Sequence, residues 1–125
     1  MDQIFKVLSD FNRVRIINML LKQKWCVTEM SEVLGISVSS VSRHLSKLRL
    51  VGIINAEQDA QWVHNIINKD FYEENKLLFE YIADITDKNE ILTEDKKRMN
   101  RYINSGLTCR QICDCPKKIK DILNG

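Results

Sequence analysis

The chain has 125 residues, 44% of them apolar, and its 19 lysines and arginines against 17 acids leave a net charge of +2. This length suits one domain with a single core, and so small a charge does not by itself indicate a nucleic-acid partner. The sequence has no run of eighteen apolar residues, so a membrane span is not expected. It also has no basic region followed by a long apolar stretch, so a signal peptide is not expected. We therefore expect a cytoplasmic protein whose four cysteines are reduced thiols.

Four helices are predicted in the first half of the chain. A short first helix precedes Asp10, which can cap the second helix with its carboxylate. Thr28 is predicted to cap a third helix through Leu34, and the glycine that follows suits a left-handed helix end. Ser37 is predicted to cap a fourth helix over residues 38–50.

The hydrophobic period changes after Gly52, which is predicted to end the fourth helix. Residues 53–57 and 62–67 are short stretches rich in Ile, Val and Trp. They are predicted to pair as a β-hairpin around the polar residues 58–61. Two short helices joined by a turn that contains glycine, followed at once by a hairpin, are typical of a winged helix-turn-helix.

Helical spacing returns after the hairpin, over residues 70–86. A last helix is predicted over residues 93–104, with Gly106 as its stop. The predicted fold class is therefore mainly α with a β-hairpin wing.

The fourth helix has an apolar face centred on Val41 and an opposite face that is polar and basic. Residues 37–50 contain three basic side chains and no acid, and the N-terminal residues of such a helix normally reach base edges in DNA. The predicted base contacts are Ser39, Ser40 and Arg43, and the predicted phosphate or groove-wall contacts are Ser42, His44 and Lys47. An ordinary serine-rich surface helix is the alternative interpretation.

Residues 8–17 (LSDFNRVRII), 37–48 (SVSSVSRHLSKL) and 61–63 (QWV) resemble the corresponding stretches of the ArsR/SmtB family of metal-sensing winged helix-turn-helix repressors. The match keeps the family's element spacing over residues 5–68. The resemblance implies double-stranded operator DNA as partner and a homodimer built from the first helix and the helix after the wing. Two recognition helices about one DNA turn apart would then require an inverted-repeat operator.

Apolar residues in these two helices suit the implied dimer interface, although ordinary intramolecular packing is the alternative. The candidate interface residues are Phe5, Leu8, Phe71, Leu78, Ile82 and Ile85. In the wing, Gln58, Gln61 and His64 are weaker candidates for contact with the DNA backbone or the minor groove.

Cys109, Cys113 and Cys115 form a C-x3-C-x-C cluster. A capping box that begins at Thr108 predicts a short helix on which the sulfurs of Cys109 and Cys113 lie one turn apart. Cys115 precedes Pro116, a position that disfavours the helical conformation, so its sulfur can turn toward the other two. Nearby basic residues should lower the thiol pKa values. Three thiolates without an adjacent fourth ligand suit As(III) or Sb(III), whereas a structural tail with incidental cysteines is the alternative.

The family resemblance also bears on where a metal site can lie. Many arsenic-responsive members carry C-V-C before the recognition helix, and here Cys26 matches the first cysteine while Thr28 replaces the second. His44 and His64 fall outside the dimer helix, where zinc-responsive members place ligands. The C-terminal trio resembles relocated cysteine sites in other arsenic-responsive members, and Cys26 is either a buried apolar residue or an extra ligand.

These observations predict two units: residues 1–106 as the DNA-binding and dimerisation domain, and residues 107–125 as a cysteine-bearing effector segment. The predicted function is a repressor that dissociates from its operator when As(III) or Sb(III) binds the three cysteines. The alternatives are a thiol-based redox or sulfide sensor that links Cys109 to Cys113, a repressor responsive to Cd(II) or Hg(II), and a protein-interaction module that no longer binds DNA. No acid–base pair, phosphate-cradling loop or nucleophile–base motif indicates an enzyme.

Overall fold

The computed structural model describes residues 2–59 and 62–107, which form seven helices and a three-stranded sheet. The helices are α1 (Asp2–Leu8), α2 (Phe11–Lys22), α3 (Val27–Leu34), α4 (Val38–Leu50), α5 (Lys69–Glu74), α6 (Lys76–Lys88) and α7 (Glu90–Ser105), and the strands are β1 (Trp25–Cys26), β2 (Ile54–Asp59) and β3 (Trp62–Ile67). In these parts of the chain, no helix has the length and apolar character needed to span a membrane.

Several helix ends follow from single local residues, as the sequence predicts. The Asp10 carboxylate accepts a hydrogen bond from the backbone N–H of Asn12 at 2.9 Å and caps α2. The Ser37 hydroxyl accepts from the backbone N–H of Ser40 at 3.2 Å and caps α4. Gly35 closes α3 with a φ of 69°, a conformation in which a side chain would be strained.

The start of α3 differs from the prediction, because its N-cap is Cys26 and not Thr28. Trp25 and Cys26 are extended as strand β1, which pairs antiparallel with β3. The Glu29 carboxylate then accepts the backbone N–H of Cys26 at 2.9 Å, so the helix begins two positions early. The predicted hairpin is thus the larger part of a sheet with strand order β1-β3-β2.

The helical region after the wing is divided, where the sequence predicts one helix over residues 70–86. The break lies at Asn75, whose side-chain N–H₂ group donates to the carbonyl of Phe71 at 3.0 Å. Such a side-chain bond competes with the helical ladder. The next helix, α7, begins earlier than predicted because the Asn89 side chain accepts two backbone N–H groups of its first turn.

The core fills the space between the helices and the inner face of the sheet. Trp25 is fully buried, and its indole N–H donates to the carbonyl of Met19 at 2.9 Å. The Tyr102 ring packs against this indole with the ring centroids 5.4 Å apart. Since Tyr102 lies on α7, the last described helix is part of the same core as the helix-turn-helix.

Candidate nucleic-acid interface

The polar face of α4 points away from the core. Ser39, Ser42, Arg43 and Lys47 are exposed, and Ser40 is half-buried beside the N-cap. Each of these five residues is a predicted DNA contact, and the structure brings them together on one surface. No acidic residue lies on α4, so the face is positively charged.

The opposite face of α4 holds the helix in the core. Val41, Leu45 and Leu48 are at most 2% exposed. Val38, which the helical wheel assigns to the same face, is 46% exposed because it opens the first turn. A helix with one buried apolar face and one exposed basic face is what a DNA-reading helix requires.

His44 is predicted to reach phosphates or the groove wall, and the structure corrects this prediction. Its side chain is only 2% exposed, and its Nδ1 accepts a hydrogen bond from Arg13 Nε at 3.1 Å. Burial lowers the pKa of His44, and the Asp10 carboxylate only partly opposes this. His44 is therefore a neutral core group that attaches α4 to α2, because neither a buried ring nor an occupied Nδ1 can meet a phosphate.

Arg49 belongs to the basic segment, but it is engaged within the protein. Its Nη1 donates to Asn65 Oδ1 at 3.0 Å, and the Asn65 side-chain N–H₂ group donates to the carbonyl of Trp25 at 3.3 Å. Asn65 is 2% exposed, so this chain of bonds joins the C-terminal end of α4 to β3 and β1. Asn65 is not among the predicted site residues, although a polar residue at an inward strand position is a detectable signal.

The wing candidates are less closely grouped. Gln58 is exposed on β2, whereas His64 is half-buried on β3 and pairs with Glu57 across the hairpin. Gln61 lies outside the described residues, so its predicted contact stays a prediction.

The candidate dimer residues divide into two groups. Phe71 and Ile82 are 8% and 3% exposed, and they are core residues of the single chain. Phe5 is 66% exposed on α1, and Leu8, Leu78 and Ile85 are half-buried. Sequence reasoning missed Leu77 and Tyr81, which are 80% and 63% exposed on α6. These two residues and Phe5 form the exposed apolar set of α1 and α6.

The three C-terminal cysteines predicted to bind metal, Cys109, Cys113 and Cys115, lie outside the described residues. Within residues 2–59 and 62–107, no group of three His, Cys, Asp or Glu side chains is arranged to hold a metal ion. Cys26 is 3% exposed at the start of α3, as a buried residue would be. It is also disulfide-bonded, which contradicts the prediction that all four cysteines are reduced thiols. Since Thr28 offers only a hydroxyl, the donors of α3 do not fit a two-thiolate site.

The C-terminal end of α3 is held by two arginines that donate hydrogen bonds to its last carbonyl oxygens. Arg98 of α7 donates to the carbonyls of Val33 at 2.6 Å and Glu32 at 3.0 Å. Arg15 of α2 donates to the carbonyl of Leu34 at 2.8 Å. Carbonyls at a helix end lack partners within the helix, so these contacts satisfy them and fix the position of α3.

The N-terminal end of α3 is also attached to α7. The Tyr102 hydroxyl donates to Glu29 Oε2, and Glu29 Oε1 accepts the Cys26 backbone N–H. Burial and the Glu29 carboxylate raise the pKa of Tyr102, so the phenol stays protonated and donates. Helix α7 therefore holds both ends of α3, the helix that precedes the candidate DNA-reading helix.

Comparison with known proteins agrees with this arrangement. The family model described as "Bacterial regulatory protein, arsR family" matches residues 10–56. The cadmium resistance transcriptional regulatory protein CadC of Listeria innocua is 33% identical over 64 residues, which are 50% of this chain and 54% of that protein. The arsenic resistance transcriptional regulator ArsR1 of Pseudomonas putida is 36% identical over 62 residues, which are 49% of this chain and 48% of that protein.

The matches to these curated relatives span about half of their length. A solved structure, reduced HlyU from Vibrio cholerae, is 30% identical with a TM-score of 0.54, and the match covers 63% of this chain and 84% of that one. The sequence match to the family covers the helix-turn-helix, and the structural match covers most of the solved HlyU chain. The chain belongs to the arsR family of bacterial regulatory proteins, a family of winged helix-turn-helix transcriptional regulators.

Proposed function

We propose that this chain is a transcriptional repressor that binds operator DNA as a homodimer and leaves it when As(III) or Sb(III) binds Cys109, Cys113 and Cys115. The observation that carries the DNA-binding part is the exposed basic face of α4, opposite a face that Val41, Leu45 and Leu48 pack on the core. A rigidly held helix can place its side chains in the major groove without an ordering cost.

Each exposed residue of α4 has a role that its chemistry supports. Arg43 can donate two hydrogen bonds to one guanine, and Ser39 and Ser40 can contact several bases. Ser42 and Lys47 are assigned to phosphates, which fix the register of the protein on the duplex. Gln61 of the wing is assigned to the backbone or the minor groove.

The proposed homodimer uses the exposed apolar set of α1 and α6. Large apolar side chains exposed at 63–80% on α1 and α6 support an association surface. A two-fold axis through this surface would present two copies of α4, which requires an inverted-repeat operator.

The proposed effector site is supported by the chemistry of its donor set. Three cysteines within seven residues provide three sulfur ligands for a soft ion when the protein, including the disulfide of Cys26, is reduced. Thiolates are the ligands that soft ions prefer. Relatives named for cadmium and arsenic resistance support a thiophilic effector. Linkage requires that the ion bind more tightly to the DNA-free form.

Helix α7 offers a route from this segment to the DNA-reading helix. It ends at Ser105, shortly before Cys109 in the sequence, and it holds α3 at both ends through Arg98 and Tyr102. In the proposed mechanism, effector binding disturbs these contacts. The position of α3 and α4 in each protomer then changes, and the two copies of α4 in the dimer no longer fit two successive major grooves.

The test is a fluorescence-anisotropy titration with an inverted-repeat duplex from the gene's own promoter. Specific binding should weaken steeply with salt, because each neutralised phosphate releases counterions. As(III) or Sb(III) should release the duplex, and Cys→Ser variants at positions 109, 113 and 115 should each resist release. Binding that ignores both the promoter sequence and the effectors would contradict the proposal.

A thiol-based redox switch is a second candidate, and the disulfide bond of Cys26 favours it. The other cysteines of the sequence are the three in the C-terminal segment. The disulfide in this version involves Cys26 and not the predicted pair Cys109 and Cys113. The thiols of Cys26 and one of the C-terminal cysteines lose two electrons and two protons to hydrogen peroxide, which becomes two waters as the disulfide forms. Cys26→Ser separates the candidates: it should abolish release by peroxide and leave release by As(III) intact.

A further inference from the structure

Arg13 of α2 connects the C-terminal end of α1 with the middle of α4. Its Nη1 donates to the carbonyl of Val7 at 3.1 Å, and its Nε donates to His44 Nδ1, also at 3.1 Å. Arg13 is only 8% exposed, and His44 is only 2% exposed. One buried guanidinium therefore joins three helices, and its planar group holds the two hydrogen bonds in a fixed relation.

Both hydrogen bonds of Arg13 constrain how α1 and α4 lie relative to each other. Val7 is in the last turn of α1, where carbonyl groups lack a partner within the helix. A guanidinium can only donate, so His44 accepts at Nδ1 and carries its single proton on Nε2. Apolar packing is non-directional, whereas hydrogen bonds have preferred directions. The Arg13 contacts therefore add an orientation that the apolar face of α4 does not supply.

The two helices that Arg13 connects are those that operator recognition must hold at a fixed distance. Helix α4 carries the exposed basic face, and α1 carries Phe5, which belongs to the apolar set proposed for the homodimer. In a two-fold dimer, a shift of α4 relative to α1 occurs in both protomers and changes the separation of the two recognition helices. We propose that Arg13 is a positioning residue that sets the half-site spacing the dimer accepts. This inference rests on the proposed homodimer and its inverted-repeat operator.

The test is an anisotropy titration against duplexes in which the half-sites of the inverted repeat are moved apart in single base-pair steps, around one helical turn. The wild type should prefer one spacing. Arg13→Met is similar in length but has no donor. It should reduce this preference by about tenfold or more, because two hydrogen bonds from a charged group are lost. Its affinity for a duplex with a single half-site should stay close to that of the wild type, because the exposed face of α4 is unchanged.

A pH profile tests the same contact with Arg13 in place, so the test stands even if Arg13→Met fails to fold. Protonated His44 carries hydrogens on both ring nitrogens and cannot accept from Arg13. The charged groups around His44 are Asp10, Arg13, Arg43 and Lys47, and burial lowers its pKa below 6.5. The spacing preference of the wild type should therefore weaken as the pH falls from 7 to 5. His44→Gln keeps an acceptor that does not titrate, so its preference should not change with pH.

Arg101→Met is the matched control, because it removes a half-buried arginine from α7, where Arg101 lies 3.9 Å from Glu94. This variant should keep the spacing preference of the wild type. A wild type that binds no inverted-repeat duplex would overturn the proposed function and this inference with it. If the wild type prefers one spacing and a folded Arg13→Met prefers it as strongly, the positioning role alone is wrong. A pH dependence in His44→Gln equal to that of the wild type would lead to the same conclusion.

Discussion

Arg15 on α2 and Asp95 on α7 form a doubly hydrogen-bonded ion pair across 80 positions of sequence. Arg15 Nε donates to Asp95 Oδ2 at 2.8 Å, and Arg15 Nη2 donates to Asp95 Oδ1 at 2.9 Å. The Asp95 side chain is 3% exposed and that of Arg15 is 15% exposed. Parallel bonds of this kind fix orientation as well as distance, so the pair sets how α7 lies on the helix-turn-helix.

Loss of the Asp95 charge should strongly destabilise the fold. Asp95→Asn leaves the guanidinium of Arg15 largely buried without its counter-charge, which should lower the free energy of unfolding by about 3 kcal/mol. Urea denaturation followed by circular dichroism measures this. The control is Glu94→Gln on the same helix, where the carboxylate is 56% exposed and 3.9 Å from Arg101. That change should stay within about 0.5 kcal/mol, and equal effects of the two substitutions would contradict the prediction.

The sequence predicts the features of this fold that depend on neighbouring residues. Asp10 and Ser37 cap helices through bonds to residues two and three positions away, and such signals are local. Strand β1 was missed because its two residues are extended only through pairing with β3, about forty positions later. The bond from Tyr102 to Glu29 spans 73 positions, and no local pattern indicates it.

Within the candidate site, the sequence predicts the exposed face of α4 better than the buried contacts behind it. The sequence favours a DNA contact for His44, because histidine is polar and lies here among serines and basic residues. Its helical angle from Val41 is about 60°, which places it on the buried face. This helical angle is sufficient to predict that His44 is buried. It does not predict the hydrogen-bond partner, because Arg13 lies 31 positions earlier in the sequence.

The stability of the protein should depend on pH through His44. Burial lowers the pKa of His44 in the folded state below its ordinary value of 6.5. The unfolded chain therefore takes up the proton first as the pH falls. The contribution of neutral His44 to the free energy of unfolding is fully present above about pH 6.5. It is lost as the pH falls from there toward the lowered pKa.

His44→Gln tests this dependence, because glutamine keeps an acceptor for Arg13 but does not titrate. The variant should lose less stability than the wild type between pH 7 and pH 5, measured by urea denaturation at each pH. A wild-type slope in the variant would show that His44 is not the group responsible.

Tyr102 should matter both for stability and for the proposed response to the effector. Tyr102→Phe removes the hydroxyl that donates to the Glu29 carboxylate, and the loss of a hydrogen bond to a charged group costs about 1.5–3 kcal/mol. In the proposed mechanism, loss of the contacts between α7 and α3 weakens DNA binding. The variant should therefore bind the operator more weakly even without As(III), and As(III) should change its affinity less than that of the wild type. Denaturation and anisotropy titrations measure the two effects.

The control for Tyr102 is Tyr72→Phe on α5. Tyr72 is 38% exposed, and its ring contact with Phe79, with centroids 4.9 Å apart, survives the change. The control should alter neither stability nor release. A Tyr102→Phe protein that releases DNA as the wild type does would exclude this contact from the route of coupling.

Arg43 and Lys47 should differ in how they contribute to DNA binding, although both are exposed on α4. Arg43→Ala should reduce discrimination between the operator and a mismatched duplex by about 1–3 kcal/mol, because a bidentate contact to a base is lost. Lys47→Ala should weaken binding to both duplexes alike and lower the salt slope by about one, as expected for one lost phosphate contact. Neither change should alter the free energy of unfolding by more than about 0.5 kcal/mol, since both side chains are exposed.

Anisotropy titrations at several salt concentrations measure both quantities on the two duplexes. Lys97→Ala on α7 is the matched control, because it removes an exposed positive charge from a helix that is not part of the candidate interface. If this control lowers operator affinity as much as Lys47→Ala does, binding reflects the net charge of the protein and not the face of α4. If Arg43→Ala weakens both duplexes equally, Arg43 contacts the backbone, and the base contacts must come from Ser39 and Ser40 alone.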